Sequence, residues 1–143
     1  MTLTLDELEM KVQLLEDLEE IKNLHKEYVF CLACRQWDDF LDCFAEDATA
    51  EIGNHGPRKG KKEIKELADN VFDKLPRTNG YIVGKPAISV KGDRASGYWN
   101  LYTFPNKQSA TWEQGRYDCE YVKTDDKWKF SSVKFTSPQP ALP

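Results

Sequence analysis

Apolar residues recur at helical spacing through the first half of the chain and switch to a period of two in the second half. Thr4-x-x-Glu7 is a capping box, followed by Leu8, Val12 and Leu15 at helical spacing. Asp17-x-x-Glu20 repeats the box. It predicts a break and a second helix over 18–34, with the stripe Leu18, Ile21, Leu24, Tyr28 and Leu32. The leading helix, residues 4–16, has a thin stripe that is not stable alone and needs this subunit or a neighbour to dock on. Trp37, Phe40, Leu41 and Phe44 make one face of a short helix, and Ala48 to Ile52 read as a short strand. This order sets a bent pair of helices against the first strand of a sheet. Gly53 to Pro57 is a loop. Residues 61–75 carry Ile64, Leu67, Ala68, Val71 and Leu75 on one helical face, and Pro76 stops that helix.

Strands then follow over 81–90, 94–104, 111–122 and 127–136, with a loop at 105–110. Lys91-Gly92-Asp93 and Thr124-Asp125-Asp126 are tight turns, so the strands around them pair as antiparallel hairpins. Helices first and long strands after give an α+β class: a cone-shaped, curved antiparallel sheet packed on N-terminal helices and enclosing a pocket. The chain divides into a helical extension (1–16), one domain (17–137) and a tail (138–143).

Composition narrows the function classes. With 143 residues, 40% of them hydrophobic and 31% charged, the chain is one ordinary globular domain. A net charge of −4 with no basic stripe speaks against nucleic acid. The cluster Arg58, Lys59, Lys61, Lys62 and Lys65 reads as a solvated helix start. No apolar run has the length of a membrane span, and the N-terminus lacks the pattern of a signal peptide, so a cytoplasmic location is expected. Cys31, Cys34, Cys43 and Cys119 fit that compartment as buried thiols. The Cys31-x-x-Cys34 pair lies inside a helix, away from the N-terminal dipole that would activate a thiol, and no second close pair completes a zinc site. Neither metal nor cofactor is expected.

The order of several loose motifs carries a family resemblance. Leu15-Glu16-Asp17-x-x-Glu20-Ile21, Tyr28, Trp37-Asp38-x-Phe40 and Phe44-x-x-Asp47-Ala48 resemble a SnoaL-like domain of the nuclear transport factor 2-like, cystatin-like superfamily. Gly60-x-x-x-Ile64, Pro86-x-Ile88-x-Val90-x-Gly92-Asp93-x-Ala95, Gly97-x-Trp99, Gly115-x-Tyr117 and Lys127-Trp128-Lys129-Phe130 extend the pattern over nearly the whole chain. The branch it looks most similar to is that of scytalone dehydratase and bile-acid 7α-dehydratase. There the resemblance implies an Asp–His dyad moving a proton while water leaves, with tyrosines polarising the substrate. Aligned on these motifs, Tyr28 takes a tyrosine position, Ala33 the Asp position and Tyr81 the His position. Thr103 takes an acidic position and Ile52 a second tyrosine position. The dyad chemistry is absent from the sequence as aligned.

The remaining candidates for chemistry are few. Tyr28 and Tyr81 are hydrogen-bond donors suited to a developing oxyanion. His25 sits three residues before Tyr28 at the edge of the apolar stripe, as a partly exposed side chain; turned inward, it would pair with Tyr28 to move a proton. His55 rims the mouth from a Gly-rich loop, and Ile52, Trp99, Leu101 and Thr103 shape the cavity. Tyr117, Cys119 and Tyr121 point inward, leaving Arg116 outward toward a subunit interface. Three function classes stay open: a cofactor-free lyase or isomerase, dehydratase-like, acting on an apolar cyclic substrate; a binding module for an apolar small molecule; and an oligomer-building subunit resembling a dioxygenase β-subunit. A homodimer or homotrimer is expected from the resemblance and from the thin leading helix.

Overall fold

The computed structural model describes residues 2–75, 78–105 and 112–137. The expected stop at Pro76, the loop at 106–110 and the tail from 138 onward lie outside the described residues. Helix α1 runs unbroken over Leu5–Cys34, capped by Thr4, whose hydroxyl accepts the Glu7 amide at 3.1 Å. The second capping box is therefore not a break. Asp17 is buried and turned to the body of the protein, where it accepts from Trp128 Nε1 at 3.0 Å, Lys123 Nζ at 3.0 Å and Gln13 Nε2 at 3.1 Å. Its carboxylate pins the helix to the last hairpin. Burial acts to raise the Asp17 pKa, but the bonds from Trp128, Lys123 and Gln13 outweigh it and the pKa is lowered.

After α2 (Trp37–Asp42) the chain enters β1 (Phe44–Ile52), four residues before the expected start at Ala48. Part of the expected loop is a short strand, β2 (Pro57–Lys59), paired with β1; α3 (Gly60–Asn70) then ends early and tightens into a 3-10 turn at Phe72–Lys74. The stretch expected as one strand is two, β3 (Thr78–Val83) and β4 (Ala87–Lys91). Gly84 separates them at close range, since a Cβ there would meet the Asn100 carbonyl at 3.2 Å, and Pro86 has no N–H to continue the ladder. Both short strands pair with β5 (Arg94–Pro105), β4 along its first half and β3 along its second. Strands β6 (Glu113–Thr124) and β7 (Lys127–Thr136) complete a sheet of order β2-β1-β7-β6-β5-β3.

All neighbours are antiparallel except β1 and β7, which are parallel because the helical layer carries the chain from one sheet edge to the other. Asp125 and Asp126 both have positive φ (52° and 61°), the type I′ geometry that matches strand twist. The pairing slips between Glu120 and Tyr121, leaving Ser131 as an extra residue on β7. That bulge bends the sheet and moves the inward residue from Phe130 to Val133. The core is an aromatic layer of Tyr28, Phe40, Phe44, Trp99, Tyr117, Tyr121 and Phe130 between α1 and the concave sheet face.

Candidate functional site

The cone stays open at one end, as a cavity of about 360 Å³. Val29, Leu32 and Ala33 reach it from α1, Ile52 from β1, Phe72 and Leu75 from the 3-10 turn, Leu101 from β5 and Phe135 from β7. These make the wall predominantly apolar. Polar side chains enter from Arg35, His55, Tyr81, Thr103, Glu113, Tyr117 and Ser137. A broader depression of about 600 Å³ lies on the outer sheet face around Ile88, Gly97, Tyr98 and Asp118, but it is an open strand surface. The cone is the more enclosed of the two.

Five of the residues singled out from sequence meet on this cavity: Ile52, His55, Tyr81, Leu101 and Thr103. The other three lie behind its wall. Tyr28 and His25 are wholly buried and Trp99 nearly so, and none of them lines the cavity. The expectation of a partly exposed His25 is thus corrected: its ring stacks on Trp99 at 4.1 Å and meets the Tyr117 ring edge-on at 4.9 Å. Three residues along a helix cover most of a turn, so His25 and Tyr28 share the buried face instead of flanking it.

Among the described residues, neither ring nitrogen of His25 has a hydrogen-bond partner. Burial lowers the His25 pKa to about 3, so the ring is neutral. Burial, followed by neighbouring Tyr117, raises the Tyr28 pKa well above that of a free phenol. In Tyr81, burial and then the nearby Cys34 and Cys31 thiols raise the pKa. Each tyrosine is therefore a neutral donor at physiological pH, not a base.

The mouth is built from a contact with no local sequence signal. Arg35 closes α1 in the left-handed conformation (φ 58°, ψ 39°) and donates to the carbonyls of Asp73 and Leu75. Trp37 Nε1 donates to the Asp73 carboxylate at 3.0 Å. The helix junction thereby holds the 3-10 turn, with Phe72 and Leu75, against the cavity. His55 packs edge-on to Phe72 at 5.7 Å, and its carbonyl accepts from Arg58 at 3.1 Å.

Sequence reasoning missed Arg35, Phe72, Glu113 and Phe135 as cavity residues. Glu113 was within reach of it, because it shares strand parity with inward Gly115 and Tyr117 and pairs with Thr103. The tip of the Phe135 ring packs against Gly115 and leaves no room for a Cβ at that glycine. Gly115→Ala is therefore expected to push Phe135 into the cavity and to cost about 2 kcal/mol of stability. A thermal melt checks the cost, and a crystal structure of the variant shows the narrowed cone.

Glu27, Cys31 and Asp39 bring donor atoms within 4.8 Å of one another, but none lines the cavity. Burial first, and then the hydrogen bond to Glu27 at 3.4 Å, raise the Cys31 pKa to about 12, so the thiol stays protonated. Cys43 and Cys119 are likewise held up at about 12, chiefly by burial, whereas Cys34 is exposed and departs from the expectation of four buried thiols.

The sequence pattern of the SnoaL-like domain matches residues 13–134. The chain belongs to the SnoaL-like domain family. Solved structures agree on the fold of this SnoaL-like domain. LinA superposes with a TM-score of 0.80 at 19% identity, covering 93% of each chain. A hexachlorocyclohexane dehydrochlorinase, LinA type 2, gives 0.78 at 21% identity over 92% of this chain and 93% of the other. A scytalone dehydratase-like protein from Novosphingobium aromaticivorans gives 0.74 at 17% identity over 89% and 87%. At these identities the likeness is one of fold. By sequence, no protein with a curated description matches this chain. No helix among the described residues is long and apolar enough to cross a membrane.

Proposed function

We propose that this SnoaL-like domain is a small-molecule pocket protein of the cofactor-free lyase or isomerase type, acting on an apolar cyclic substrate. The observation that carries the reading is the cone itself: about 360 Å³, apolar on most sides, with a few polar groups converging. That volume falls within the range of ligand sites. Tyr81 is the neutral donor that polarises a substrate oxygen, and His55, at the mouth, is the imidazole that takes the substrate proton. In a dehydratase-like step, a C–H proton passes to His55, its electron pair forms the new double bond, and the leaving oxygen departs as water with a proton drawn through Tyr81. Names borne by two proteins of the same fold, a dehydrochlorinase and a scytalone dehydratase-like protein, agree with elimination chemistry in such a cone.

A second reading, binding without turnover, draws on Ala33. It lines the cavity at the position where the resemblance places the dyad carboxylate. One experiment separates the two. A thermal-shift screen with steroids, polyketide-like phenols and flat aromatics is expected to give a hit, since a ligand at a hundred times its Kd adds roughly 2.7 kcal/mol. Tyr81→Phe is expected to weaken that ligand about tenfold, the loss of one hydrogen bond to a polar ligand atom. Loss of substrate in a turnover assay, abolished by His55→Ala, supports the lyase. Binding that depends on Tyr81 without turnover supports the second reading, and a panel that shifts nothing overturns both.

A further inference from the structure

The first three turns of α1 carry apolar side chains that the body of the protein does not cover. Residues 4–16 are exposed, and Asp17 is the first buried position of the helix. At 1.5 Å per residue, the stretch Leu5–Glu16 projects for about 18 Å. On it, Leu5 (71% exposed), Leu8 (45%), Val12 (53%) and Leu15 (66%) follow one another at spacings of three, four and three. That is the a-d-a-d seam of two heptads.

The seam faces away from its own subunit. Taking about 100° per residue, its centre lies roughly 170° around the helix from the face that buries Asp17, Ile21, His25 and Tyr28. No bending of the same chain brings it onto the sheet while that face stays docked. Met10 and Leu14 fall on the other side, in line with the docked face. The next seam position after Leu15 is Glu19, which is exposed, so the apolar strip ends where the body begins.

We propose that the seam binds a second copy of this chain, the two α1 helices pairing in parallel as a short coiled coil. Charge selects both partner and direction. In this frame Lys11 occupies a g position, and Glu9 and Glu16 occupy e positions. In a parallel pair, each Lys11 meets Glu16 of the partner subunit, five residues on, and the two-fold axis makes that contact twice. In an antiparallel pair the e positions face one another, setting Glu9 against Glu16 of the partner subunit. The seam also favours two strands over three, with Val12 at an a position between leucines at d. The rest of α1 is locked to the domain through Asp17, so the projecting turns do not have to nucleate a helix on their own. The leading helix thus has its docking surface on a neighbour, independently of what the cavity does.

Sedimentation equilibrium of the full chain at low salt tests the pairing. Two heptads form a short seam, so the wild type is expected to dimerise at concentrations on the order of micromolar to tens of micromolar. Val12→Lys is expected to abolish the dimer. Lys11→Glu alone and Glu16→Lys alone each oppose like charges twice and are expected to weaken it about tenfold. An equimolar mixture of those two variants restores opposite charges at both contacts and is expected to recover the wild-type association as a heterodimer. All three positions are exposed, and far-UV circular dichroism verifies that each variant keeps its fold. A wild type that stays monomeric to about 200 µM, well above typical weak-dimer constants, overturns the proposal. So does a dimer that survives Val12→Lys, which would place the contact on another face such as the outer sheet, or a mixture that fails to recover.

Discussion

Between pH 7 and pH 4 the wild-type fold is expected to lose about 3 kcal/mol through His25 alone. The ring is wholly buried, stacked on Trp99 and, among the described residues, without a hydrogen-bond partner at either nitrogen; burial lowers its pKa from 6.5 to about 3. The unfolded chain takes up a proton below the ordinary histidine pKa, while the folded chain does not until the pH nears the lowered value. Stability from this group is therefore complete above the unfolded pKa and declines as the pH falls, at a slope approaching 1.4 kcal/mol per unit. Asp17 acts in the same direction in a lower window. Its lowered pKa contributes stability above the ordinary aspartate value of 3.8 that is lost as the pH falls through the folded value. His25→Phe keeps the aromatic stack and removes both unpartnered nitrogens. It is expected to gain about 1 kcal/mol at pH 7 and to flatten the pH dependence between about 6 and 4. Urea unfolding of both proteins at several pH values measures this. Parallel wild-type and variant curves would mean that the His25 nitrogens are solvated in the folded state.

Asp17→Ala is expected to cost about 3 kcal/mol. The substitution strands Trp128 Nε1, which is buried, and the Lys123 ammonium, which is largely covered, and both donate to one carboxylate oxygen at 3.0 Å. Asp17→Asn keeps an acceptor for Trp128 but not the charge opposite Lys123, so a smaller loss, about half, is expected. The denaturation midpoint should fall with an unchanged m-value, because α1 stays docked through its aromatic face. A midpoint that does not move would mean that the anchor is as well solvated when the chain is unfolded. The effect is confined to stability, since Asp17 lies at the far end of α1 from the cavity residues Val29, Leu32 and Ala33.

Particular residues show where sequence reasoning reached and where it ended. The alternation Tyr117, Cys119, Tyr121 was legible because neighbouring strand residues point to opposite faces, and all three are buried. The two tight turns were legible because Gly92, Asp125 and Asp126 adopt the positive φ that such turns require. Asp17-x-x-Glu20 misled because a capping box and a buried carboxylate anchor look the same until Trp128 and Lys123 are brought up from more than a hundred residues away. His25 misled for a related reason. A lone histidine on a stripe edge carries no mark of whether a tryptophan from β5 will stack on it.

For the candidate site, the chain's own pattern determined which strands and helices exist, most of their inward faces and the family to which they belong, because those follow from short-range periodicity and turn chemistry. Ile52, His55, Tyr81, Leu101 and Thr103 were within reach on that basis. Only the tertiary structure decided that Tyr28, His25 and Trp99 sit behind the cavity wall, and that Arg35, Phe72, Glu113 and Phe135 complete it. The physical reason is that the wall is set by sheet curvature and by one left-handed residue. The bulge at Ser131 moves the inward position of β7 from Phe130 to Val133, and Arg35 ties the end of α1 to the carbonyls of Asp73 and Leu75 at the mouth. Both depend on contacts between residues far apart in the chain, which local pattern does not encode.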